Sequence, residues 1–375
     1  MLDGRGLVVR LFMTFKVRGR AMKMFRKITT IAGAILVSAV LVSCGDNEVA
    51  EEQASKQSAA TAIVGAGATF PEPLYQEWIR RYSETQPDAP FSYEGVGSGE
   101  GIKRFIAEEV DFGASDAAMN DQEIAKVERG VKLIPATAGM VVLAYNLPGF
   151  EGELKLPRDV YVDIFLGKIW RWDDQRITEA NPGVELPSKL IQTVVRRDSS
   201  GTTFAFTNHL STLSSDWRDN GPGTGKLIDW PGGAMTGRGN EGVAQKVKIS
   251  QGAIGYMEYG FAKRLGLPMA SLQNKSREYV KPGADSGRAA LGAAKLPANL
   301  RLFVPDPEGA DSYPIVSLSW ILAYGSYPES AKAGQLKQAL TWALDEGQAI
   351  AAEMGYIPLP ETMLAKAKAA VADIR

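Results

Sequence analysis

The stretch VVRRDSSGTTF, Val194–Phe204, gathers two arginines, two serines, a glycine and two threonines. A strand ends in positive charge, and Ser-Ser-Gly-Thr-Thr then opens a helix. Hydroxyls, a glycine N–H and a guanidinium at one helix start are the donors a tetrahedral oxyanion requires. Arginine brings a fixed fork of donors that lysine cannot copy. Arg196 and Arg197 are adjacent candidates. Asp198 either holds the arginine toward a ligand or makes a purely structural ion pair with it.

Two more glycine-rich loops carry the same device. VGAGATF, Val64–Phe70, looks at first like a nucleotide loop, but the third glycine position of the dinucleotide fingerprint holds Phe70 and a proline follows. What survives is more general: Thr69 can cap the next helix, and Pro71 or Pro73 suits its first turn. The free N–H groups there either bind an anion or merely begin a capped helix. VGSGEG sets Ser98 between Gly97 and Gly99, again before a helix. Ser98 reads as an N-cap or as a ligand donor.

DFGASD puts a carboxylate, Asp116, in a loop of this set. It is a helix cap, or it faces the anion. The second reading requires an anion that carries a proton. Phosphate can donate a hydrogen bond to a carboxylate and sulfate cannot. A site built on such a match rejects the wrong partner by ~10⁴–10⁵.

Other chemistries fit poorly. His209 is the single histidine, which excludes Ser-His-Asp triads and histidine-based metal sites. NGPGTGKL lacks the first glycine of a phosphate-binding loop and has no Ser or Thr after Lys226. The adjacent carboxylates at 108–109 and 173–174 diverge and read as solvated.

The elements that must position these loops alternate. A helix is expected at about 73–83, burying Leu74, Trp78, Ile79 and Tyr82. FSYEGVG reads as a strand and turn. GEGIKRFIAEEV has Ile102, Phe105, Ile106 and Val110 at helical spacing. LIPATAGMVVLAYN is one or two strands, LIQTVVRRD another, and QGAIGYMEYGFAK a strand running into a helix. The tail LKQALTWALDEGQAIAAEMG and ETMLAKAKAAVADI is helical. This alternation predicts α/β architecture. Loops near 69, 98, 116 and 200 then gather at the carboxyl ends of strands, where such sheets bind ligands.

The 375 residues suffice for two domains. The N-terminal part is not fold. Lys23, Arg26 and Lys27 precede an apolar run, Ile31–Val42, shorter than the ~20 residues of a spanning helix. The shape is that of a bacterial export signal, with Met22 or Met24 as a candidate start. It ends in LVSC, which resembles the lipobox whose cysteine carries lipid. Cys44 is the only cysteine, so no internal disulfide forms. A polar, acidic tether follows to residue 60. Residues 1–43 hold eight of the 42 basic residues and one of the 43 acidic ones, so the remainder has net charge −8. That is wrong for a nucleic-acid binder. Any anion must be held by local dipoles and a few placed charges.

Together GAGATFPEPLYQEW, YEGVGSGEGI, VDFGASDAAM, GKIWRWDD with NPG shortly after, VVRRDSSGTTFAFTNHL and GAIGYMEYGFAK occur in order. They resemble the phosphate-binding proteins of bacterial phosphate-specific ABC transporters, from about residue 61 to GYIPLP near 355–360. The resemblance implies a two-lobed periplasmic-binding-protein fold of type II, with the ligand in the interlobe cleft and hinge strands near Val141–Asn146 and Gly252–Tyr259. Lobe I would comprise 61–140 plus 262–375, and lobe II 141–261. The family's ligand positions fall on Thr69, the Phe70 backbone N–H, Ser98, Asp116 as proton acceptor, Arg196, Ser200, Gly201 and Thr202. The family's arginine stands four residues before the Ser of Ser-Gly-Thr, which selects Arg196. The family's glycine before that serine is Ser199 here. The implied protein is a monomer, not an enzyme, without cofactor or metal. It would be anchored at the periplasmic or outer cell surface through Cys44, and partnered by a membrane permease. Alternatives are a binder of another oxyanion, a lipid-anchored phosphate scavenger or sensor without a permease, and a secreted phosphomonoesterase. The last would want a nucleophile with a base or a metal pair.

Overall fold

A computed structural model describes residues 62–292 and 294–375 of the chain. The lipidation candidate Cys44, the signal and the tether lie outside the described residues. The strands in chain order are β1 (Ile63–Gly67), β2 (Phe91–Gly95), β3 (Phe112–Ser115), β4 (Val131–Tyr145), β5 (Lys155–Leu156), β6 (Gln192–Arg196), β7 (Met235–Gly237), β8 (Ala253–Glu258), β9 (Ser271–Gln273), β10 (Tyr279–Val280) and β11 (Val316–Tyr324). Eight of them form one sheet in the order β2-β1-β3-β11-β4-β8-β6-β7, and β10-β9-β5 form a small second one.

The run LIPATAGMVVLAYN becomes a single strand. From Leu133 to Tyr145 every residue of β4 is buried, as is every residue of β11. Such continuous apolar runs mark strands covered on both faces. β4 serves two neighbours in turn. Its first part, through Met140, pairs antiparallel with β11. Val141–Tyr145 then pair antiparallel with Ile254–Glu258 of β8. Those two segments are the ones expected to be hinge crossings.

The expected helices are present, with adjusted ends. The first spans Glu72–Thr85 and buries Leu74, Tyr75, Trp78 and Tyr82, while Ile79 is half-buried. The second spans Ser98–Ile106 and stops before Val110, which is buried beyond a left-handed residue, Glu108 (φ 56°). Near the C-terminus the helical run breaks at Asp345 into Ser330–Leu344 and Gly347–Met354, followed by Glu361–Ala372. Among the described residues no helix is long and apolar enough to cross a membrane.

Candidate functional site

Strand direction builds the site. β1, β2 and β3 are mutually parallel, and β4 runs with them across the antiparallel β11. β8 reverses the sense, and β6 and β7 follow it. The carboxyl ends of the two sets therefore face each other, and loops from both meet, as ligand-binding loops do in α/β sheets. Gly99 N–H donates to the Ser199 carbonyl across this meeting at 2.9 Å.

From the β1 side comes Thr69. It does not cap the helix. Pro71 is the N-cap, with no side-chain cap bond, because Thr69 Oγ1 is already engaged as an acceptor of N–H groups from Asn240. Phe70 is buried, its carbonyl accepting from the Tyr356 hydroxyl at 2.8 Å. After β2, Gly97 at φ 99° is the N-cap, so Ser98 is the first helical residue rather than the cap. Its hydroxyl accepts from the Asp116 N–H at 3.2 Å.

Asp116 directly follows β3 and caps no helix. It is 1% exposed. Its Oδ1 accepts from Ser319 Oγ at 2.8 Å, and its carbonyl from Ser317 Oγ. Burial pushes its carboxyl up to about 7, against the opposing pull of the Ser319 hydroxyl, the Arg196 charge and the Ser98 and Thr202 hydroxyls. A carboxyl so placed can accept or give a proton near neutrality.

From the opposite set comes Arg196, 2% exposed at the end of β6, whereas Arg197 points to solvent. Asp198 grips the Arg196 fork through Nε (2.9 Å) and Nη2, leaving Nη1 to reach Thr202 Oγ1 at 3.3 Å. Burial alone would raise the Asp198 carboxyl. The bonds and charge of Arg196, with the Gly239 N–H, outweigh that and hold it below the usual range. The structural ion pair and the ligand-facing arginine are thus compatible readings.

Ser200 caps the helix Gly201–Leu213, its Oγ accepting from Thr203 N–H. Gly201 is obligatory by contact. A Cβ there would lie 2.5 Å from Ser98 Oγ and 2.6 Å from Asp116 Cβ. All eight sequence-derived residues are buried, Gly201 as a bare backbone and Phe70 offering its backbone N–H rather than its ring. Together they stand at one meeting of loops.

Two participants escaped the sequence reading. Asn240, fully buried, donates to both Thr69 and Thr202. Ser319 holds Asp116. Ser319 had a signal: serines inside a wholly apolar strand, VSLSWILAY, must bond to something. Asn240 in RGNEGV had none.

The residues set aside stay apart. His209 is buried with its ring stacked on Tyr161, whose hydroxyl meets Nε2 at 2.8 Å. Burial lowers it to about 4, so it is neutral. Lys226 pairs with Glu123 at 2.7 Å. Glu108 and Glu109 are exposed, as expected. Asp173 and Asp174 are half-buried instead: one pairs with Arg171, and the other caps the helix Gln175–Ala180. No cluster of three or more metal-ligating side chains occurs among the described residues.

The family model for the PBP superfamily domain matches residues 53–346. The chain is 41% identical over 315 residues to "Phosphate-binding protein PstS" of Pasteurella multocida, covering 83% of this chain and 90% of that protein. It is 35% identical over 374 residues to the protein of that name from Methanocaldococcus jannaschii, covering 93% and 95%. Among solved structures, a high-affinity periplasmic phosphate-binding protein (PfluDING) bound with phosphate superposes with a TM-score of 0.70 at 22% identity, covering 82% of this chain and 93% of that one. A phosphate-binding protein from Stenotrophomonas maltophilia gives 0.68 at 21%, covering 83% and 94%. These structures establish the two-lobed α/β periplasmic-binding fold. With that fold, and with the curated relatives aligned along most of its length, the chain belongs to the PBP superfamily and, within it, to the phosphate-binding protein PstS family.

Proposed function

We propose that this protein binds inorganic phosphate and delivers it to an ABC-type import permease. The observation that carries the reading is Asp116: one buried acceptor set among hydroxyls, helix-start N–H groups and a guanidinium. Phosphate offers four oxygens and a proton, and that proton is the complement of the lone carboxylate. Thr69, the Phe70 N–H, Ser98, Arg196, Ser200, Gly201 and Thr202 replace the ion's water, and Asp116 accepts the hydrogen bond from its P–OH group. Charge-assisted bonds of this kind contribute roughly 1.5–3 kcal/mol each. Sulfate, fully ionised, would set its oxygens against the carboxylate.

The donors come from two segments, 61–140 with 262–375 and 141–261, taken as the two lobes. The pairing of Val141–Tyr145 with Ile254–Glu258 supports their role as the hinge. Donors from both lobes make the closed form bind tighter, so the ligand shifts the population toward closure. The permease reads that closure. No bond is made or broken, and the protein is a monomeric carrier rather than a catalyst. Cys44, lipidated, tethers it at the periplasmic or outer cell surface.

Calorimetric titration of phosphate and sulfate into protein stripped by unfolding and refolding tests the reading. One-to-one phosphate heat with none from sulfate is expected. Equal heats, or no phosphate heat from folded protein, would overturn it. Intact-mass analysis of the membrane-extracted protein reports whether Cys44 carries lipid.

A further inference from the structure

Asn240 is the second residue of the helix Gly239–Ile249, which begins at the end of β7. Its side chain is fully buried. The amide orientation is fixed by one partner: Glu258 N–H donates to Oδ1 at 3.0 Å, and an N–H can only donate. Nδ2 therefore faces the other way. It donates to Thr69 Oγ1 at 3.0 Å and to Thr202 Oγ1 at 3.3 Å. Each threonine receives a second N–H. Thr69 Oγ1 takes the backbone N–H of Asn240 at 3.1 Å, and Thr202 Oγ1 takes Arg196 Nη1 at 3.3 Å.

A hydroxyl has two acceptor positions and one proton. On both threonines the acceptor positions are filled by N–H groups. The proton is all that remains to offer. We infer that Asn240 is a positioning residue that makes Thr69 and Thr202 donors only, one from each set of loops. The inference rests on the phosphate reading above. Its consequence is specificity for the ligand's protonation pattern. Oxygens facing the two threonines must be unprotonated, which leaves Asp116 as the place where the ligand's proton sits. Rotatable hydroxyls, left alone, would accept as readily as donate and would blur that distinction.

A purely structural asparagine, tying three loops together, predicts something different, and a double-mutant cycle separates the two. Phosphate is titrated calorimetrically into stripped wild type, Thr69→Val, Asn240→Asp and the double variant. Asn240→Asp turns an acceptor toward both hydroxyls, so their protons go to it and not to the ion. An affinity loss of about 100-fold or more is expected. Thr69→Val should cost about tenfold or more in the wild-type background, and within about twofold nothing in the Asn240→Asp background, because its donor is already withdrawn. An equal cost in both backgrounds would overturn the inference, as would an Asn240→Asp affinity within about threefold of wild type. If Asn240→Asp does not fold, as judged by circular dichroism, the cycle is run with Asn240→Ala, which withdraws no proton but frees both hydroxyls to accept as well as donate; the Thr69→Val cost should then shrink by at least about threefold, and an equal cost in both backgrounds refutes the inference. Absence of phosphate binding by the wild type would instead defeat the phosphate reading itself.

Discussion

Replacing Gly201 by alanine adds one methyl group at the point where the two sets of loops touch. The backbone there is ordinary helix, so alanine brings no conformational strain and slightly favours the helix. The whole effect is steric. The new Cβ would stand 2.5 Å from Ser98 Oγ, 2.6 Å from Asp116 Cβ and 2.8 Å from Asp116 Cα, where ordinary contact begins at 3.4 Å. The serine hydroxyl can rotate away. The Asp116 backbone, fixed at the end of β3, cannot. The helix Gly201–Leu213 must therefore retreat by about 1 Å, which stretches hydrogen bonds from its first turn beyond their useful range. Loss of two such bonds to an ion, at roughly 1.5–3 kcal/mol each, gives a phosphate affinity reduced by ~10²–10⁴. The ligand-free protein should melt within a few degrees of wild type, because the methyl group displaces a meeting surface and leaves each core intact. Calorimetry gives the affinity, thermal unfolding with and without phosphate gives the stability, and small-angle scattering gives the compaction on binding. An alanine variant that binds phosphate within about threefold of wild type, with the same compaction, would refute the claim that this contact sets the bound geometry.

Three further outcomes are expected. Asp116→Asn presents an amide donor in place of the carboxylate, so phosphate binding weakens and sulfate gives measurable heat; continued absence of sulfate binding to the folded variant would count against proton reading. Since Asp116 is raised to about 7 by burial, it is protonated in acid and can then donate, so selectivity for phosphate over sulfate should fall at least about tenfold from about pH 8.5 to about pH 5.5, followed by competition titration. Glu258, fully buried with Oε2 unpartnered among the described residues, is pushed up by burial to about 8; with Asp116 it binds protons more tightly folded than unfolded. Their contribution to the ligand-free protein is thus whole below the ordinary carboxylate range and is lost as pH rises toward about 8, and Glu258→Gln should flatten the decline in a series of urea midpoints, whereas an unchanged slope would discount Glu258 as its source.

Much of this site was legible because its loops sit where local chemistry is loud. A β-branched residue followed by glycine and hydroxyl residues at a helix start is a pattern that short-range physics writes plainly, and it located Thr69, Ser98 and Ser200. Whether a hydroxyl caps its own helix is less plain. Ser200 does, while Thr69 and Ser98 are drawn off by Asn240 and the Asp116 N–H, partners distant in sequence. Arg196 and Arg197 were adjacent candidates in the sequence, separated only by the family's spacing; the structure ends β6 at the buried Arg196 and leaves Arg197 exposed just beyond it. Asn240 was illegible because its value lies in three simultaneous partners from three other elements. The break at Asp345 was hidden because, Gly347 apart, the stretches flanking it are rich in good helix formers.

The position of β11 has a kinetic consequence. It lies between β3 and β4, with Trp320 opposite both Ser115 and Pro135. Until residues 316–324 arrive, β3 and β4 have no strand to join them, and the sheet exists only as separate fragments. Nearly the whole chain must be synthesised before the first half can close, and the closing step pairs residues some two hundred positions apart. Such non-local pairing is slow. An early-emerging chain is consequently held open by its own topology, a state suited to threading through a narrow conduit before folding on the far side.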